Sequence, residues 1–174
     1  MQQAESIATN LKSEFQDINF SLYSSPLSRT RETAEIIGRK FNITPQFTSA
    51  LKERNLGKAV GRSVEWLKEN IEKEEISIYD KCFRDAESRF DVWQRIGPFY
   101  EKIIASTDEN MIIVSHGDSL SIFHVMWLGL NVEALNTMDL YGVSGGVSFL
   151  YQTAQGKRII KRLSDTSYKS MKAV

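Results

Sequence analysis

Two segments carry side chains suited to holding an oxyanion: Ser24-Ser25-Pro26-Leu27-Ser28-Arg29 and Val114-Ser115-His116-Gly117-Asp118. In each, a short apolar run gives way to an amphipathic one, so Arg29 and His116 fall where a strand turns into a helix. Arginine offers a permanent charge and a planar fork of donors that matches phosphate oxygens. Imidazole can donate to the same group or exchange a proton with it near neutral pH. Brought to one edge of one sheet, the two make an anion site with Ser25 and Gly117 beside them.

The first segment follows Phe20-Ser21-Leu22-Tyr23, a short aromatic run ended by Ser-Pro, which suits a strand entering a turn. Ser25 is expected to cap the next helix, with Pro26 at its first position, where the missing N–H costs nothing. Leu27, Ala34, Ile37 and Phe41 mark one apolar face of that helix. Arg29 then lies near the positive end of the helix dipole, an unfavourable place that a bound anion would relieve. Arg39 and Lys40, further along, belong to the solvated face.

The second segment follows Met111-Ile112-Ile113-Val114, a continuous apolar run expected to be a strand buried on both faces of a parallel sheet. A helix through Leu120, Phe123, Val125 and Met126 follows, with Asp118 or Ser119 as the expected cap. His116 thus sits just past the carboxyl end of a central strand, where open α/β sheets bind ligands. Gly117 would let backbone and ligand approach closely. His124, amid apolar neighbours, reads as a structural histidine.

With these motifs in view the chain resembles the histidine phosphatase superfamily, the group of phosphoglycerate mutases and broad phosphomonoesterases. The resemblance runs through Tyr23 to Arg29 with Glu32-Thr33-Ala34, then Leu51-Lys52-Glu53-Arg54-Asn55-Leu56-Gly57, then Ala86-Glu87-Ser88, then Ser115-His116-Gly117. It implies that Arg29 grips the phosphoryl group, His116 stabilises it in transfer and Glu53 donates the proton to the leaving oxygen. Ala86 stands where a glycine is usual.

A larger departure concerns the nucleophile. Family members open with a strand ending in Arg-His-Gly, whose histidine becomes phosphorylated, and no Arg-His-Gly occurs here. The two histidines, His116 and His124, both lie downstream of Arg29. Ala4, Ile7, Ala8, Leu11 and Phe15 are already in helical register at the start of the chain. This is expected of a sequence truncated ahead of its first helix. Phosphoryl transfer rests on cationic stabilisation around an in-line nucleophile. Without that nucleophile the cations can bind but cannot form a phosphoenzyme, and attack by His116 would need a rebuilt geometry.

Length and composition set the frame. A chain of 174 residues with 41% hydrophobic and 25% charged residues fits one globular domain. Lysine plus arginine equal aspartate plus glutamate at 22 each, which leaves no global field favouring nucleic acid or a membrane surface. Cys82 is the single cysteine, consistent with a reducing cytoplasm. No signal peptide or bilayer-length apolar run is evident, and the resemblance implies neither metal nor organic cofactor.

The remaining segments place the motifs. Ile43 to Phe47 leads into a short strand, with Glu53 in the following loop. Ser63 is expected to cap a helix carrying Trp66, Leu67 and Ile71. Residues 54–86 read as an insertion covering the pocket, in which Arg54, Arg62 and Trp66 either face the pocket or pack. Ser88 and Asp91 form a capping box before a long helix that Pro98 is expected to kink or divide. Residues 146–151 and 158–163 flank Gln155-Gly156 as a hairpin, the basic residues of its second strand protecting an edge.

The expected fold is a three-layer α/β/α phosphoglycerate mutase-like domain over residues 1–174, lacking its first central strand. The expected function is that of a phosphomonoesterase lineage, inactive as given, with phosphate or a small phosphomonoester as ligand and neither nucleic acid nor membrane as partner. The alternative is a noncatalytic phosphate-binding or protein-interaction module. The resemblance implies that the absent strand lies between those ending at Ser24 and Ser115, so these should pair directly or a homo-oligomer should complete the sheet, an open slot being disfavoured.

Overall fold

Leu22 and Tyr23, neighbours on β1 (Ser21–Ser24), leave opposite faces of the strand and seed two separate cores in the computed structural model, which describes residues 2–170. On one side Leu22 meets Ala8 of α1 (Gln2–Glu14) and Ile36 and Ile37 of α2 (Ser28–Phe41). On the other, Tyr23 joins Val92, Ile96, Phe99 and Ile103 of α4 (Arg89–Ile104) and Ile122 and Phe123 of α5 (Gly117–Trp127). A sheet is thus sandwiched between two helical layers, the expected α/β class. The α1 stripe packs as its spacing predicts, with Ile7, Ala8 and Leu11 buried. Met1, ahead of it, lies outside the described residues.

β1 pairs in parallel with β2 (Gln46–Phe47) on one edge and with β3 (Met111–Val114) on the other, in the order β2-β1-β3. Tyr23 lies opposite Ile113, and Ser24 opposite Val114. A second, antiparallel pair joins β4 (Val147–Gln152) to β5 (Arg158–Asp165), with Gly156 at φ 81° in the turn.

Direct pairing of β1 with β3 corrects the expected place of the gap. There is no slot between these strands. Among the described residues β3 pairs only with β1 and β4 only with β5, and the opening lies between β3 and β4. Both are half-buried there, so Met111 to Val114 is not the doubly covered strand that its apolar run predicts. Adjacency among parallel strands depends on the crossovers, which strand composition does not encode.

Ser88 caps α4 through the expected capping box with Asp91. Pro98 does not divide the helix, which runs unbroken from Arg89 to Ile104 because buried Ile96, Phe99, Tyr100 and Ile103 anchor it on both sides of the proline. Between β2 and α4, residues 54–86 carry α3 (Val64–Asn70), capped by Ser63, and a satellite core of Ala59, Cys82, Phe83 and Ala86 backed by Trp66 and Leu67. Two basic residues of β5 are docked rather than left as edge protection. Arg158 lies over the rings of Tyr100 and Trp127, and Arg162 over Phe149 while pairing with Glu14.

Candidate active site

His116 and Ser25 join the carboxyl ends of β3 and β1, with His116 Nε2 2.9 Å from Ser25 Oγ. Ser25 is fully buried and His116 nearly so. Parallel pairing of the strands brings them together, since Ser25 N donates to Val114 O at 3.0 Å and continues the ladder by one residue. Ser25 Oγ also accepts from Leu27 N at 3.3 Å. Ser25 therefore does not cap α2 as expected: the helix begins at Ser28 after Leu27, and the serine braces the turn and the imidazole instead.

Arg29 stands in the first turn of α2, exposed, and lines a cavity of about 1310 Å³ together with Glu53, His116 and Gly117. It has no carboxylate within ion-pair distance among the described residues. Its neighbours differ. Arg54 is bound by both oxygens of Glu75, at 2.9 and 3.2 Å, and by Asp118 at 2.9 Å. Arg89 lies 3.3 Å from Asp118 and 3.3 Å from Asp139. Its Nε is buried, in range of Asp118 but off the hydrogen-bond direction. Arg95 pairs with Glu87 at 2.9 Å. Among the described residues Arg29 is thus the arginine of this group without a carboxylate partner.

Burial, and then the charges of Arg29 and Arg95, push His116 down to about 4, so its ring is neutral in the free protein at pH 7. Glu53 is moved the other way. Burial raises its carboxyl, Asp118 adds to the rise, and hydrogen bonding from Arg54 N–H at 3.1 Å and the charge of Arg29 oppose it. A carboxyl held up in this way suits proton donation.

The loop bearing Glu53 is fixed by Ser115 and Ser119, in roles the motifs do not suggest, and by Arg95, which lies outside them. Ser115 Oγ donates to Leu51 O at 2.8 Å, and Ser119 Oγ to Lys52 O at 2.6 Å. Arg95 Nη1 donates to the carbonyls of Ala50 at 2.8 Å and Lys52 at 3.0 Å. Ser119 and Asp118 are thereby occupied elsewhere, which corrects their expected capping role: α5 starts at Gly117 with His116 as its cap residue and no side-chain cap bond. A polar run such as Ser115 to Ser119 flags a site, but the partner of each group depends on segments tens of residues away.

Gly117 serves packing. A Cβ there would stand 2.8 Å from Gly142 O, so the glycine admits the 141–142 loop against α5. Arg62 stacks on Trp66 at 5.4 Å, and Trp66 leans on Phe83 at 6.0 Å, so these two pack within the 54–86 segment. His124 is buried, with Nδ1 3.1 Å from Leu140 O, the structural role expected of it.

An arginine, a histidine and a carboxyl of raised affinity for protons thus line one cavity at the carboxyl edge of a parallel α/β sheet. Residues 1–166 match the model of the histidine phosphatase superfamily (branch 1), and the chain belongs to that family. It is 31% identical over 144 residues to a 2,3-bisphosphoglycerate-dependent phosphoglycerate mutase of Thermoplasma acidophilum, covering 83% of this chain and 66% of that protein. It is 26% identical over 136 residues to a phosphoglycerate mutase-like protein of Arabidopsis thaliana, covering 69% of this chain and 48% of that one. The chain thus spans about half of one relative and just under two thirds of the other. A mycobacterial glucosyl-3-phosphoglycerate phosphatase, solved with inorganic phosphate, shares the fold at a TM-score of 0.80 with 19% identity, over 97% of this chain and 86% of that one. So does a putative alpha-ribazole-5'-P phosphatase of Escherichia coli, at a TM-score of 0.70 with 18% identity, over 94% of this chain and 80% of that one. No helix among the described residues is long and apolar enough to cross a membrane.

Proposed function

We propose that residues 1–174 form a phosphomonoester-binding domain of phosphatase lineage that holds the phosphoryl group without turning it over at an appreciable rate. The observation that carries this reading is the contrast between unpaired Arg29 and the paired arginines around it, at the same cavity edge as His116. Arg29 would take the phosphoryl oxygens, His116 would add a hydrogen bond from its ring, and Glu53 would face the ester oxygen as proton donor. Ser25 would hold the imidazole in place, and Gly117 would let the α5 terminus approach.

Turnover through a phosphoenzyme needs a histidine in line with the leaving oxygen. Of the two in the sequence, His124 is buried against Leu140 O and His116 belongs to the stabilising side of the site. The names of the related phosphatases and mutase support a phosphate ester as ligand class. The 54–86 segment, tied to α5 through Arg54 and Asp118, would border the pocket and set substrate choice. The lone Cys82 supports a reducing compartment such as the cytoplasm.

Titration with sulfate, followed by backbone NMR, tests the site. Saturable shifts at Arg29, His116 and Gly117, with release of phosphate from p-nitrophenyl phosphate no faster than in buffer, are expected. Unmoved signals at these residues would overturn the site, and acid-labile phosphate on His116 during turnover would overturn the noncatalytic reading.

A further inference from the structure

Arg54 follows Glu53 directly, and all three nitrogens of its guanidinium hold a carboxylate. Glu75 takes Nη1 and Nη2 with its two oxygens, at 2.9 and 3.2 Å, and Asp118 takes Nε at 2.9 Å. A two-pronged pair of this kind is directional and stronger than a single contact. The Arg54 side chain is 16% exposed and that of Glu75 26%, so water competes weakly for either.

The backbone delivers Glu75 to this place from two fixed points. Three residues on, Ile78 is buried, its N–H donating to Asn136 Oδ1 at 2.9 Å and its carbonyl accepting from Phe90 N at 2.9 Å. Asp80 closes the intervening turn by accepting from Ser77 N at 2.8 Å and Ile76 N at 3.1 Å. On the other side, Glu72 N–H donates to Cys82 O at 3.0 Å. Glu75 is therefore built into the segment rather than loosely attached to it.

The charges around Arg54 do not cancel. Asp118 is shared with Arg89, which also lies 3.3 Å from Asp139, so two arginines stand against the three carboxylates Glu75, Asp118 and Asp139. Asp118 comes directly after Gly117, which lines the cavity, and its charge acts on Glu53. With Arg29 at the phosphoryl end and Glu53 at the ester oxygen, the alcohol beyond that oxygen meets an arginine already taken and a surplus of negative charge. Without Glu75 the cluster would be neutral, and the fork of Arg54 would be open.

We propose that Glu75 is a specificity residue that restricts the site to phosphomonoesters of alcohols without a second acidic group. The inference rests on the phosphate reading of the same site. Glu75 occupies the guanidinium fork that a carboxylate or second phosphate would seek, and it repels such a group. An uncharged alcohol meets neither obstacle.

Glycerol 3-phosphate and 3-phosphoglycerate provide the test, because they differ only in a hydroxymethyl group against a carboxylate. The second is the kind of ester for which the related mutase is named. Calorimetric titration of the 174-residue protein should show the first bound at least about tenfold more tightly. In Glu75→Gln the ratio should fall to about threefold or less, through tighter binding of 3-phosphoglycerate, and adding Arg54→Gln should abolish that gain. Equal or reversed affinities in the wild type would overturn the proposal without recourse to a variant. A preference unmoved by Glu75→Gln would rule out Glu75 as its source, and a gain that survives Arg54→Gln would rule out the occupied fork. Sulfate titration separates the two readings: sulfate bound without an ester preference sinks this inference alone, whereas no sulfate binding sinks the phosphate reading and this inference with it.

Discussion

His116 Nε2 lies 2.9 Å from Ser25 Oγ, a bond that ties two strand ends 91 residues apart and fixes the imidazole at the mouth of the cavity. Both groups are buried, so neither can exchange this partner freely for water. Ser25→Ala should therefore lower stability by about 1 to 2 kcal/mol, the cost of an unsatisfied buried ring nitrogen. It should also weaken sulfate binding by freeing the ring. Urea denaturation and sulfate titration of the variant check both effects, and unchanged values in both would show that the bond positions nothing.

Arg29 is exposed, so its removal should leave stability within about 0.5 kcal/mol. Arg29→Ala should nonetheless reduce sulfate affinity at least tenfold, because the unpaired cation of the site is gone. The wild-type affinity should fall as salt rises, as befits a partly open charge. Calorimetric titration at two ionic strengths measures both.

His116 contributes to a pH dependence of stability with a definite sign. Its folded-state value, about 4, lies below the ordinary value of 6.5, so the unfolded chain binds the extra proton between them. The stabilisation is complete above pH 6.5 and is lost as pH falls toward 4. His124, also lowered by burial, acts in the same direction, whereas raised Glu53 acts in the opposite one. The difference between wild type and His116→Gln isolates the histidine and should change by about 2 kcal/mol between pH 7 and pH 4.5. A constant difference across that range would contradict the depressed imidazole.

The same protonation should couple to the ligand. A bound sulfate, which does not titrate in this range, favours imidazolium at His116 and a neutral carboxyl at Glu53. Arg29, Arg95 and Asp118 are the other charged groups that act on this pair. Sulfate affinity should rise as pH falls through that interval, and His116→Gln should flatten most of the rise.

Arg95 holds the Glu53 loop through carbonyls that no other side chain can serve as a group. Arg95→Lys keeps the charge but loses the fork, and should cost about 2 kcal/mol in thermal or urea unfolding. The NMR signals of residues 50–54 should broaden or shift in this variant while those of the β4–β5 hairpin stay in place.

The sequence by itself determined the local pieces. The strand-to-helix turns carrying Ser25, Arg29, His116 and Gly117, the Ser88–Asp91 capping box, the structural place of His124 and the hairpin around Gly156 each depend on contacts within a turn or two, where residue type and spacing decide the outcome. Ser25, Asp118 and Ser119 do not cap the helices as their positions suggest, because distant partners, His116, Arg54 with Arg89, and Lys52 O, engage their oxygens. Only the tertiary structure decided which arginines are neutralised, since Glu75 reaches Arg54 and Glu87 reaches Arg95 across folded loops. It also decided that β3 lies beside β1 and that the open edges face each other across from β4. Strand adjacency follows from how helices close over both faces of a sheet, a long-range balance of burial that no window of sequence contains.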